Sequence, residues 1–284
     1  MSALRLGQVD YINCLPVYHA LEEGIVPLEA ELVKGPPTTL NQMFLAGYLD
    51  VTPISSIEYA RNADSCLILP NLSISACGRV ESILLFSKIP VTELEGKKVC
   101  LTESSATSVA LLKVLFDHYY HVEVHFSSCP PDLDAMMDKA DGALLIGDDA
   151  MLAHQKVKDQ GLPYQVTDLG EAWQKFTGEK MVYAVWVVRR KLAEAAPEKI
   201  KELSESLMLS KEAGFSDMAA LVAKAQNKSG LPLPVIENYF CNTMRYEFDD
   251  SYRRALLLFY DYAYKSGLID ERVKLCVWGE DSCV

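Results

Sequence analysis

Positive charge is scarce in this sequence. Lys and Arg number 27 against 39 Asp and Glu, which leaves a formal net charge of −12 over 284 residues. That balance argues against nucleic acid or an anionic membrane surface as a partner. An anionic ligand would have to be met locally, by Arg, Lys or helix N-termini working against the global field. No apolar run reaches the ~18 residues of a membrane span, and no early run has the charged start and apolar centre of a signal peptide. A cytoplasmic protein is therefore expected. No two of the eight cysteines form a C-x-x-C pair, and most lie in apolar segments. Buried free thiols are expected in preference to a disulfide framework or a zinc ribbon.

Catalytic signatures are missing too. The chain has no G-x-S-x-G elbow, no H-E-x-x-H, no dinucleotide glycine fingerprint and no phosphate-loop pattern. Nothing in it requires a cofactor or a metal. Three histidines crowd into HYYHVEVH (His118, His121, His125). A helix ending near Tyr120 and a strand starting at Val122 would keep them off a common face, and a helix-end histidine is favoured by the dipole alone. No repeat or low-complexity segment is visible.

What the chain does have is apolar content: half of its residues, enough for a substantial core in one large or two modest domains. The first third alternates strands (LRLGQV, LEAELVKG, VTPI) with helices (LPVYHALEEG, PTTLNQMFLAGYLD, SSIEYARNAD). CLILP and LSISACGRVESILLFSK then add further strands. Repeated β-α-β units imply a mostly parallel sheet covered by helices. Near residue 88 the pattern restarts, with a strand at 98–102, a helix behind a hydroxyl-rich turn, and a strand at about 122–126. A helix at 131–139, the buried strand GALLI and a helix from Asp148 follow. The run MVYAVWVVRR can carry the chain back to the first block, and the remainder is helical. The expected organisation is a discontinuous lobe, 1–88 with 189–284, interrupted by a second α/β lobe, 89–188. Ligands of such hinged proteins sit between the lobes, at loops that follow strand ends.

Five loops qualify. In VDYINCLPVY, Tyr11 and Asn13 stand at a strand-to-helix turn, where Asn13 either caps the helix or offers a donor and an acceptor to a ligand. In PISSIEY, Ser55 and Ser56 stand at a helix start; capping accounts for one and leaves the other free. In SACGRVES, Arg79 follows Gly78 at a strand junction, where a guanidinium suits a carboxylate. In TESSATSV, the hydroxyls of Ser104, Ser105, Thr107 and Ser108 crowd a strand-to-helix turn. Favoured over a mere surplus of caps, they form an anion cradle with the helix N-terminus. In LLIGDDAML, Gly147 precedes Asp148 and Asp149, which either present a general base or cap the next helix.

Seven segments in register carry a resemblance: VDYINCLPVY, GYLDVTPISSIEYA, LSISACGRVESILLFSK, SSATSVALLKVL, ALLIGDDAML, DLGEAWQKFTG and YAVWVVRR. Over residues 4 to about 264 the chain resembles the chorismate dehydratases of menaquinone biosynthesis by the futalosine route. It departs from their pattern in TGEKMVYAVW, which lacks an apolar residue and Pro before the aromatic strand. The resemblance implies a two-lobed fold like that of type 2 periplasmic binding proteins, with mixed, mostly parallel sheets, flanking helices and a cleft. It also implies loss of water from chorismate, a dianion. Arg79 and the Ser104–Ser108 turn would hold carboxylates, Ser55 and Ser56 would add donors, and Asn13 would orient the departing hydroxyl or a carboxylate. The ring proton would pass to the substrate's own enolpyruvyl carboxylate or to Asp148 or Asp149. The sister dihydroxynaphthoate synthase of the same pathway and a non-catalytic solute-binding protein are the alternatives.

Overall fold

The structure is a computed structural model that describes residues 3–284. Along the chain run β1 (Leu4–Val9), α1 (Leu15–Glu22), β2 (Ala30–Gly35), α2 (Pro37–Leu45), β3 (Val51–Ser55), α3 (Ser56–Arg61), β4 (Cys66–Ala76) and β5 (Ile83–Ser87). Then follow β6 (Lys98–Thr102), α4 (Ala106–Leu115), β7 (His125–Cys129), α5 (Leu133–Lys139), β8 (Gly142–Ile146), α6 (Gly147–Gln160), β9 (Gln165–Asp168) and α7 (Leu169–Thr177). The last third holds β10 (Met181–Arg189), α8 (Arg190–Ala195), α9 (Pro197–Ser216), α10 (Met218–Ser229), α11 (Leu233–Asn238), β11 (Met244–Arg245) and α12 (Asp250–Lys265).

Two sheets organise these elements, one ordered β11-β4-β10-β3-β1-β2 and the other β7-β6-β8-β5-β9. β10 and β5 are buried along nearly their whole length, as central strands must be when helices cover both faces. The expectation of mostly parallel sheets needs correction. β1–β2, β1–β3, β6–β7 and β6–β8 are parallel, whereas β10–β3, β10–β4, β11–β4, β5–β8 and β5–β9 are antiparallel. The βαβ units supply the parallel pairs. Strands that enter a sheet after crossing from the other lobe, β5 and β10, run against their neighbours.

Sheet membership also moves the lobe boundaries. β5 belongs to the second sheet and β10 to the first, so the chain crosses between them at 77–82 and 178–180, not at 88/89 and 188/189. Composition could not show this, because ILLFS and MVYAVWVV are equally apolar wherever they pair. The lobes share one hydrophobic core that runs through α4 (Leu111, Leu112, Leu115), and a smaller core lies on the outer face of the second sheet around Phe86, Met136 and Leu145. An aromatic joint fastens α7 to α12: Trp173 meets Phe259 edge-on at 6.0 Å, and Phe176 lies 5.0 Å from Tyr262.

The cysteine expectation is corrected in part. Cys100 pairs with Cys129 across β6 and β7, and Cys276 pairs with Cys283 near the end of the chain. Cys14 and Cys66 are buried free thiols, while Cys77 and Cys241 are free and exposed. No helix among the described residues is long and apolar enough to cross a membrane.

Candidate functional site

Between the lobes lies a cavity partly open to solvent. Its walls are apolar, with Val9, Ile74 and Met244 from one side and Val80, Ile83 and Ile146 from the other. Among the described residues that line it, none is Asp, Glu, Lys, Arg or His. Its polar groups are the side chains of Tyr11, Asn13, Ser55, Ser82, Ser105, Ser108 and Tyr183, and the backbone at Gly147. An anion here would be held by hydroxyls, amides and helix N-termini alone, which suffice when aimed and dry.

Asn13 sits in the 3-10 turn Ile12–Cys14 that leads into α1. Cys14 is the N-cap residue of α1 and no side chain caps the helix, so Asn13 is not a cap. Its carbonyl accepts the Tyr246 hydroxyl at 2.8 Å, which fixes the backbone. Its Oδ1 is buried and has no hydrogen-bond partner in the protein. An unpaired buried acceptor costs about 1–3 kcal/mol, a cost a ligand donor would remove.

The serines divide. Ser105 caps α4 by accepting from Ser108 N at 3.2 Å and donates to Ser108 Oγ at 2.9 Å, with both hydroxyls on the cavity wall. That leaves the first N–H groups of α4 without partners inside the helix. Ser55 accepts from Asn41 Nδ2 at 3.1 Å and faces the cavity with its own proton to spare. Ser56 and Thr107 turn elsewhere: Ser56 donates to Val182 O at 2.9 Å, and Thr107 Oγ1 accepts from Ile57 N at 3.3 Å. Thr107 Oγ1, which also lies 3.4 Å from Ser56 Oγ, joins the start of α4 to the start of α3 across the lobes. Ser104 pairs with Thr102 Oγ1 at 2.7 Å and stands near the Tyr11 hydroxyl.

Tyr11 bridges the cleft. Its ring lies against Gly147, at φ +59°, where an added Cβ would stand 2.8 Å from the ring. Glycine serves here twice, for the left-handed backbone and for the close approach. Burial pushes the Tyr11 phenol up to about 12.

Neither acidic candidate lines the cavity. Asp148 Oδ1 accepts from Ile12 N at 3.1 Å, which ties the start of α6 to the turn that carries Asn13. Burial raises its pKa to about 6, against the Ile12 N–H that favours the carboxylate. Asp149 is raised as well, chiefly by burial, and stands beside the Tyr11 hydroxyl. Both lie one layer behind the cavity wall.

Arg79 stands further off. It is exposed and lines a separate groove with His154 and Lys158, on the far side of the 77–82 crossing. Gly78, at φ +86°, lies against Gln174 and does not line the cavity. Along this crossing, Val80 and Ser82 face inward while Arg79 and Glu81 face out. The sequence offers Gly-Arg as the prominent pair, but the crossing brings Val80 and Ser82 to the cavity instead.

Two cavity residues escaped the sequence analysis. Ser82 accepts from Tyr239 Oη at 2.8 Å and donates to Val80 O at 3.2 Å, and it sits in the same SACGRVES stretch. Tyr183 sits mid-strand on β10, and its hydroxyl is buried with no partner. Cys14 also touches the cavity, but burial pushes its thiol far up, so it is no nucleophile. Of the three histidines, His118 pairs with Ser266 Oγ at 3.1 Å and His121 with Asp117 O at 3.1 Å; the strand expected from Val122 starts at His125.

Comparison with known proteins places the chain among relatives. A family described as menaquinone biosynthesis matches residues 4–265. The chain is 31% identical over 271 residues to a chorismate dehydratase of Thermus thermophilus, covering 91% of this chain and 94% of the relative. It is 30% identical over 209 residues to a 1,4-dihydroxy-6-naphtoate synthase of the same organism, covering 73% and 72%. In fold it resembles a solved protein of Archaeoglobus fulgidus (TM-score 0.78, 21% identity, 94% and 98% of the two chains). It also resembles the periplasmic aliphatic sulphonate-binding protein of Escherichia coli (TM-score 0.68, 16% identity, 96% and 90%). The two-lobed architecture is therefore that of the periplasmic binding proteins.

Proposed function

The chain belongs to the menaquinone biosynthesis family, and we propose that within it the protein is a chorismate dehydratase, converting chorismate to 3-(1-carboxyvinyloxy)benzoate and water. The observation that carries this is the unpartnered Oδ1 of Asn13 on the wall of an interlobe cavity without ionised side chains. Chorismate with both carboxylates ionised has a single O–H donor, its C4 hydroxyl, and Asn13 Oδ1 is an acceptor in need of one. The alignment with the dehydratase also spans more of the chain than that with the synthase.

The reaction breaks the C4–O bond and the C3–H bond, and the ring becomes aromatic. Aromatisation supplies the drive, so the protein's share is orientation, exclusion of water and suppression of enolpyruvyl loss. Asn13 holds the departing hydroxyl, while Ser105, Ser108, Ser55 and the start of α4 hold carboxylate oxygens. Asp148 and Asp149 stand behind the wall, which favours the enolpyruvyl carboxylate as proton acceptor. A carbon–oxygen lyase of this kind is redox-neutral and asks for no electron carrier. We place it in the cytoplasm, although the Cys100–Cys129 and Cys276–Cys283 pairings bear against a reducing compartment. Thiol counting on protein isolated without reductant and then denatured tests those pairings, with four labelled thiols if both are present and eight if neither is.

The test is purified protein with chorismate, followed by ultraviolet absorbance and product mass. Loss of one water with an aromatic product supports the dehydratase; chorismate bound but unchanged points to a binding protein. In the same assay Asn13→Ala should lower kcat/KM by roughly 100-fold or more, as loss of an aimed polar contact does. Turnover near the wild-type rate would remove Asn13 from the site.

A further inference from the structure

Tyr183 is the cavity's other unpaired group, and the backbone places it there by a device of its own. Along β10, Val182 pairs with Ser75 and Ala184 with Ile74, so the register slips by one residue and Tyr183 is the extra one. Neighbouring residues of a regular strand point to opposite faces, yet Tyr183 and Ala184 both line the cavity. A bulge re-aims a side chain in this way, and bulges collect beside active sites.

Tyr183 is 6% exposed, and its buried hydroxyl has no hydrogen-bond partner. The carboxylate whose charge acts on it, Asp168, is already engaged. Asp168 accepts from Val80 N, Glu81 N, Gly170 N and Glu171 N, at 2.8 to 3.1 Å. The hydroxyl packs close to Gly170, where an added Cβ would come within 2.8 Å of it. The protein therefore buries this hydroxyl on a cavity-lining residue and supplies nothing for it to bond.

We propose that Tyr183 binds the substrate, donating its hydroxyl proton to a carboxylate oxygen of chorismate as a neutral donor. This rests on the dehydratase assignment above. It complements Asn13, with one orphan acceptor for the substrate's one donor and one orphan donor for an anionic oxygen. Burial, with the charge of Asp168 behind it, holds the phenol far above its ordinary range. Tyr183 thus stays protonated and serves in recognition, without passing its proton to the leaving hydroxide.

The experiment is Tyr183→Phe assayed with chorismate beside the wild type, with Tm measured on both. A donor to a charged oxygen is worth roughly 10- to 100-fold in affinity, so KM should rise by that factor while kcat changes little. Because the hydroxyl bonds nothing in the protein, Tm should hold or rise. A KM within about twofold of wild type overturns the proposal, as does a rise in KM that comes with a fall in Tm. If the wild type does not dehydrate chorismate at all, the dehydratase assignment fails first. The wild-type control separates that outcome from a failure of Tyr183 alone.

Discussion

Asp148 shows how one half-buried carboxylate can matter without touching a ligand. Folding lifts its pKa from the ordinary 3.8 to about 6, mostly through burial. Between those two values the folded protein holds a proton that the unfolded chain has released. Stability therefore falls as pH rises through that window, and the loss is complete above about pH 6. Asp148→Asn keeps an oxygen for Ile12 N and removes the charge. It should stabilise the protein at pH 8 by on the order of 2 kcal/mol and by much less at pH 4. Tm measured at both values checks this, and an equal gap at the two pH values would contradict it. Ser56 and Thr107 make a related point, since hydroxyls placed for a ligand by sequence pattern serve instead to hold the protein together, Ser56 within its own lobe and Thr107 across the two.

The elements repeat the lesson in their ends. α6 begins at a glycine because its first residue must be left-handed and must admit the Tyr11 ring. Gly147→Ala should lower Tm, since the backbone strain alone costs about 1–2 kcal/mol. It should lower kcat/KM further by displacing Tyr11, and a variant with unchanged Tm and turnover would refute the steric argument. Most elements were legible: β1, α1, β3 and β8 fall where hydrophobic period and turn residues put them. CLILP and LSISA are one strand, β4, because Asn71 at φ +61° lets the chain continue through the turn-like Pro-Asn pair. β11 has only two residues, too short to leave a period. In the site, Tyr11, Asn13, Ser55, Ser105, Ser108 and Gly147 were readable as strand-to-helix loops. Tyr183 was not, because a bulge breaks the alternation by which a mid-strand residue is assigned its face. Arg79 misled because residue type suggested a clamp while the irregular crossing between the lobes turns it outward.

At the scale of the whole molecule, a net charge of −12 surrounds a cavity with no cation on its walls. A dianion approaching it is repelled by the general field, and salt screens that field over a Debye length of ~30 Å at 0.01 M and ~10 Å at 0.1 M. Added KCl should therefore raise kcat/KM for chorismate by a few fold at constant pH. A steep fall with salt would mean that a cation holds the substrate after all. The topology carries one more consequence. β3 and β4 never pair with each other; β10 alone joins them. All five strands of the second sheet precede residue 181. A ribosome has thus delivered the whole inserted lobe before it makes the strand that closes the lobe begun first, and the cavity wall bearing Tyr183 is among the last parts of the site to be synthesised.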